Sequence, residues 1–308
     1  MQDWADRRNA IENGRHWINR AGARPRWRGI PMRVAVAALR LLLQPTPIYR
    51  RGLRNALDIE CQAFDLAFPD LPPAFDGYRI LHVSDTHLDN LPELAGITRR
   101  VLEGVEADLL ALTGDVFGTA DARRSADLLA HALETAVVRG PRLAILGNHD
   151  PTAMAALLAE AGFEVLLNRS VLLERGGDRL RITGLDDVNS FFTERALAAL
   201  EDHEGEFRVA LVHSPEVADD AARAGYALYL CGHTHGGQIC LPSGRPVITH
   251  LHRCRHAAQG LWREGRMTGY TSQGLGVASD LPLRFHSRGG VAVITLRRET
   301  RLPADGVA

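Results

Sequence analysis

RILHVSDTH (residues 79–87) decides the fold: a largely apolar, β-rich stretch runs into Asp85, Thr86 and His87, an acid and an imidazole two positions apart. A run this apolar reads as a strand covered on both faces. The same design recurs along the chain. DLLALT (108–113) is followed by Gly114-Asp115 and RLAIL (142–146) by Gly147-Asn148-His149-Asp150. FRVALV (207–212) is followed by His213, and ALYLC (227–231) by Gly232-His233-Thr234-His235. RLRIT (179–183) is a sixth strand candidate. Helical periodicity is expected at 91–105, 122–138, 152–161 and 215–224. Strand–helix alternation of this kind predicts an α/β domain with a buried sheet. The Gly-rich stretch 266–298 is expected to close a sheet with antiparallel strands.

In open α/β sheets ligands bind beyond the carboxyl ends of the strands, so polar residues spread from position 85 to position 235 can converge on one site. Each fragment alone reads as a turn, a cap or a packed histidine; five at corresponding strand ends read as a ligand set. The set offers carboxylate, imidazole and one amide oxygen, without thiolate, which suits Mn, Fe, Zn and similar divalent ions. Asp85, His87, Asp115, Asn148, His213, His233 and His235 are more donors than one tetrahedral ion takes. Two ions sharing a carboxylate would use them all, and paired ions about 3.5 to 4 Å apart are a known device for phosphoester hydrolysis.

Composition sets the bounds. The 308 residues are 45% hydrophobic and 24% charged, which excludes a disordered chain. No apolar stretch approaches the roughly 18 to 20 residues of an ordinary spanning helix. Four cysteines, Cys61, Cys231, Cys240 and Cys254, have no CxxC spacing and read as reduced thiols, which favours the cytoplasm. The formal charge of -1 hides an asymmetry: residues 1–54 hold twelve Arg against Asp3, Asp6 and Glu12. Every cation in the chain is Arg.

Residues 1–56 therefore read as a basic arm preceding a catalytic domain at 57–308. The arm carries Trp4, Trp17 and Trp27 among its arginines, and PMRVAVAALRLLL (31–43) reads as one helix that starts at Pro and stops at QPTP. Neither a secretory signal nor a twin-arginine export signal fits its order. Three readings of the arm stand: docking on an anionic lipid surface, which Trp and Arg both suit; packing on the catalytic domain; and binding of nucleic acid. The first is favoured, and with it a peripheral location at the inner face of the cell membrane.

The order DxH, GD, GNHD, H, GHxH over residues 77–298 resembles the calcineurin-like metallophosphoesterase superfamily. GHTHGGQICLP (232–242) and GLGVASDLPLRF (274–285) are similar to its YkuE-type bacterial branch; Asp89, after DTHL, stands where that branch most often has Gly. The resemblance implies a two-sheet α/β sandwich flanked by helices, with a binuclear metal site at the strand ends. It implies that Asp85, His87 and His235 hold one ion, that Asn148, His213 and His233 hold the other, and that Asp115 bridges them. His149 takes the position of the acid or charge stabiliser, with Asp150 either orienting it or capping the next helix. The implied reaction is in-line attack by a metal-bound hydroxide on a phosphodiester or pyrophosphate. A lipid-linked substrate such as UDP-2,3-diacylglucosamine is one candidate; a nuclease, a phosphomonoesterase or a non-catalytic metal-binding adaptor are the alternatives.

Other residues carry weaker signals. His250, His252 and His256 surround Cys254 in THLHRCRH (249–256), which reads as a solvated loop rather than a second metal site. Cys231 and Cys240 are expected in the core, and His82 packed within its strand. Arg253, Arg255 and Arg284 are candidates for touching a substrate phosphate. Gly236, Gly237, Gly274 and Gly276 serve either close substrate approach or tight turns.

Overall fold

A computed structural model describes residues 2–26, 30–119, 121–201, 206–278 and 281–299. Trp27, Ser279 and Asp280 lie outside the described residues. The chain opens with α1 (Gln2–Glu12), a hairpin of β1 (His16–Asn19) and β2 (Gly22–Pro25), then α2 (Ile30–Leu43) and α3 (Pro47–Leu57). The first half of the domain runs β3 (Ile59–Phe68), β4 (Arg79–Val83), α4 (Glu93–Val101), β5 (Glu106–Ala107), β6 (Leu109–Thr113), α5 (Ala122–Leu133), β7 (Val137–Val138), β8 (Arg142–Ile145), α6 (Met154–Glu160) and β9 (Glu164–Val165). The second half runs β10 (Arg169–Arg175), β11 (Asp178–Gly184), α7 (Glu194–Glu201), β12 (Phe207–Leu211), α8 (Ala218–Arg223), β13 (Leu228–Cys231), β14 (Gly260–Glu264), β15 (Met267–Thr271) and β16 (Gly289–Arg298).

Two six-stranded sheets result, with strand orders β3-β16-β4-β6-β8-β9 and β10-β11-β12-β13-β15-β14. β4, β6, β8 and β9 are parallel in the first, and β11, β12, β13 and β15 in the second. Period-2 side-chain direction explains why these strands are apolar throughout. Ile80, Leu109, Leu143 and Ile145 face Ile182, Val209, Leu211, Leu228 and Leu230 between the sheets. Their neighbours Leu81, Val83, Leu110, Leu112 and Ala144 turn outward under α4, α5 and α6, meeting Leu94, Leu129, Leu133 and Met154. On the far side Ala210, Val212, Tyr229 and Cys231 meet α7 and α8 through Ala196, Leu200, Ala218 and Ala221. The molecule is thus the expected sandwich with helices on both outer faces. His82, also inside, bonds Thr113 Oγ1 at 2.8 Å, and burial holds its imidazole down at about 3.

Three local expectations change. The helix expected over 122–138 ends at Leu133, because the β-branched pair Val137–Val138 joins β5 in a short parallel ladder. The stretch 266–298 serves both sheets: β15 pairs β14 antiparallel and β13 parallel, while β16 lies between β3 and β4. The arm also divides differently. Trp4 packs against the domain's core, Arg8 is buried, and α3 docks through Gly52 and Ala56. Of the arm's helices, α2 keeps most of its apolar side chains in solvent.

Candidate metal centre

Five loops leave the carboxyl ends of β4, β6, β8, β12 and β13, and backbone bonds lace them together. The amide of Asp85 donates to Gly114 O at 2.9 Å, that of His87 to Asp115 O at 3.3 Å and that of Gly232 to His213 O at 2.9 Å. Two glycines are required by crowding: a Cβ on Gly147 would collide with the Asp115 carboxylate, and one on Gly232 with that of Asp85. Asp85, His87, Asp115, His233 and His235 all sit at positive φ, a region side-chain-bearing residues avoid. Strain of this kind gathers where a structure over-determines a functional geometry.

These turns bring the donors into two buried groups. Asp85, His87 and His235 offer atoms within 4.8 Å of one another, and so do Asp115, His213 and His233. Asp115 Oδ2 lies 3.5 Å from His87 Nε2 and 3.2 Å from His213 Nε2, so one carboxylate touches both groups. Asn148 Oδ1 is 3.1 Å from His213 Nε2 and 2.7 Å from His233 Nδ1. The second nitrogens matter as much. His87 Nδ1 donates to Phe117 O at 2.7 Å and His213 Nδ1 to Thr113 O at 2.8 Å, which turns both Nε2 atoms toward the cluster. His87 Nε2, His233 Nε2 and His235 Nδ1 are buried without a hydrogen-bond partner. Buried polar atoms are rarely left so, and a cation satisfies them.

Charge points the same way. Burial pushes the Asp85 carboxyl up, opposed by His213 and reinforced by Asp115. Burial works against ionising Asp115 as well, yet the charges of His213 and His149 hold its carboxyl well below the usual range. Burial would lower His213, but Asp115 outweighs it and lifts the imidazole to about 10. His233 and His235 are held well below their ordinary value, chiefly by burial. The cluster therefore demands positive charge beside Asp115, and its neutral rings keep lone pairs available. Donor chemistry, orphaned nitrogens and tight glycine cradles all fit a pair of divalent ions.

His149 follows Asn148 and opens to the cleft, its ring standing 5.2 Å from that of His87 and nearly perpendicular to it. The cleft is about 630 Å3, within the usual range for ligand sites. Asp150 is placed differently from either expectation. Its oxygens accept from the amides of Asp115, Val116 and Gly147 at 2.8 Å and of Phe117 at 2.9 Å, tying the β6 loop to the β8 loop.

Arg284 does not reach the cleft. It is fully buried and donates to the carbonyls of His235, Gln273, Gly274 and Gly276, and burial lowers it to about 10. Arg253 is engaged by Asp219, and neither it nor Arg255 lines the cleft. The cationic wall comes instead from Arg24 and Arg26 of the hairpin, beside Trp17, His250 and His252. Behind the site, Arg8 donates to the carbonyls of Gly147 and Asp150, both at 2.7 Å, and pairs with Asp186. Trp4 and Glu12 reinforce it through Asp186 and Thr152. RPRWR (24–28) was the signal for this wall, but its Trp and Arg read equally well as a lipid-facing arm. Cys231 and Cys240 are buried, as expected.

A two-sheet sandwich carrying Asp, Asn and His side chains as candidate ligands at its strand ends fits a metal-dependent phosphoesterase, a hydrolase whose class uses two divalent ions. The family model for calcineurin-like phosphoesterases matches residues 78–237, and the chain belongs to that family. It is 32% identical over 238 residues to the uncharacterized metallophosphoesterase YkuE of Bacillus subtilis, covering 74% of this chain and 82% of that one. It is 26% identical to phosphodiesterase YaeI of Escherichia coli, covering 71% and 82%. Among solved structures, TT1561 of Thermus thermophilus aligns with a TM-score of 0.43 at 16% identity, over 64% of this chain and 90% of that one.

Proposed function

We propose that the protein hydrolyses a phosphodiester or pyrophosphate, with Asp85, His87 and His235 holding one ion, Asn148, His213 and His233 the other, and Asp115 shared. The observation that carries this reading is the single Asp115 carboxylate within 3.5 Å of histidines from both groups. When bound, the two ions supply Lewis-acid charge to the phosphoryl group. The chain's own part is orientation and proton handling. Phe117 O and Thr113 O fix the tautomers of His87 and His213, and Asp150 locks the loops that carry Asp115 and Asn148. His149, an exposed ring lining the cleft, delivers a proton to the leaving oxygen.

A lipid-linked substrate is the finer form of the reading, supported by exposed α2. The nucleic-acid reading has less support, since Trp17 and Arg26 stack on each other at 3.6 Å. The test is turnover of bis(p-nitrophenyl) phosphate and p-nitrophenyl phosphate by stripped protein given Mn, Zn, Mg or Ni. Metal-dependent turnover is expected, abolished by Asp115→Asn. His149→Ala should lower kcat by about 10² to 10⁴ with metal content unchanged. Equal loss of bound metal would make His149 structural, and no turnover with any metal would favour an adaptor.

A further inference from the structure

We propose that the β1–β2 hairpin selects the substrate: Arg24 and Arg26 take an anionic group beyond the reacting phosphate, such as the second phosphate of a nucleoside diphosphate ester. The proposal rests on the phosphohydrolase reading and names the substrate class of that site.

The cleft is built from two sources. Its floor is the ligand cluster, and part of its wall is the hairpin, more than fifty residues before the start of the family match at residue 78. The hairpin is a fixed part of the molecule. Ile18 N donates to Ser190 O and Phe192 N to Ile18 O, each at 2.9 Å, and Trp17 stands edge-on to Phe191 with ring centroids 5.6 Å apart. Arg20 at the turn pairs with Asp220.

The two cleft arginines are held differently. Arg26 lies 3.6 Å over the Trp17 ring and donates from Nη2 to Ile11 O at 2.8 Å. Arg24 reaches Nε2 of His252. Among the described residues neither guanidinium forms an ion pair with a carboxylate, so both keep their charge for whatever enters the cleft. Both line the same cleft as the candidate ligands His87, Asp115, Asn148, His233 and His235, and among the described residues neither hydrogen-bonds one of them. Guanidinium forks suit phosphate oxygens, and stacking spares part of the ordering cost of binding. A substrate with one phosphate and a neutral leaving group leaves this wall unused; one with two neighbouring phosphates uses both regions.

The test is calorimetric titration of metal-loaded, full-length protein with a methylene-bridged nucleoside diphosphate and, separately, with inorganic phosphate. The double variant Arg24→Ala/Arg26→Ala and the single variant Arg24→Gln are compared with wild type, the latter leaving the Trp17 stack in place. The diphosphate analogue should bind at least about tenfold more weakly to the double variant, the scale of one lost charge-assisted bond, and measurably more weakly to Arg24→Gln. Phosphate affinity should change less than about twofold. Equal weakening of both ligands, or no weakening of the analogue, overturns the proposal. Failure of the phosphohydrolase reading shows separately, as absence of ester turnover by wild type, while the titrations still report on the wall.

Discussion

At the scale of single residues, the site is assembled from atoms with no freedom left. Arg8 shows how far that reaches, because one buried guanidinium pairs with Asp186 and holds the carbonyls at both ends of the loop carrying Asn148 and His149. Removing one partner of a buried pair strands the other, at a cost of about 3 to 5 kcal/mol. Arg8→Ala should show that loss in urea unfolding and bind the second ion more weakly, and Arg8→Lys should recover the charge without both carbonyl bonds. A stability within about 0.5 kcal/mol of wild type would show that α1 merely rests on the domain. His82 sets a pH limit. Its folded value of about 3 lies below the unfolded value of 6.5, so the unfolded chain binds the extra proton between those limits. Its contribution is complete above pH 6.5 and is lost as pH falls toward 3, at up to about 1.4 kcal/mol per pH unit. His82→Gln should flatten the acid limb of the stability curve; an unchanged limb would mean His82 takes a proton in place. The ligand types were legible in sequence because each follows an apolar run. The positive φ values of Asp85, His87 and Asp115 were not, since they come from contacts between loops far apart in the chain.

Among the elements, strands were the most legible and the N-terminal helices the least. β4, β6, β8, β12 and β13 fall where continuous apolar runs place them, because both faces are covered by packed layers. α1 has almost no apolar face to announce it, and its docking depends on Trp4, Arg8 and Glu12 finding polar partners more than 130 residues away. α2 is the opposite case: an evident helix whose surroundings contradict its composition. Val34, Leu41 and Leu42 are 63%, 71% and 73% exposed on a segment of 14 residues. At about 1.5 Å per residue it reaches roughly 21 Å, short of the roughly 30 Å of a bilayer core. Among the described residues no helix is long and apolar enough to cross a membrane. The proposed lipid contact therefore has α2 lying in the headgroup layer. Leu41→Asp/Leu42→Asp should reduce co-sedimentation with anionic vesicles by more than about tenfold, given about 1.5 to 3 kcal/mol per buried Leu. Equal sedimentation of variant and parent would remove α2 as the contact. Because Trp17, Arg24, Pro25 and Arg26 wall the cleft, these substitutions separate the two roles of the arm where deleting it would not.

In the whole molecule, the order of the strands in space is unlike their order in the chain. β16, the last strand among the described residues, pairs with β3 over residues 289–298 and with β4 on its other side, so it fills the slot between β3 and β4. Among the described residues β3 has no neighbour in its sheet other than β16. During synthesis, then, every loop with a candidate ligand is made while the first sheet still has a gap beside β4. That strand's open edge is available to any other extended segment until residue 298 emerges. Completion of the catalytic sandwich therefore waits on a segment made after every candidate ligand, which must travel back to the start of the domain before the first sheet is whole.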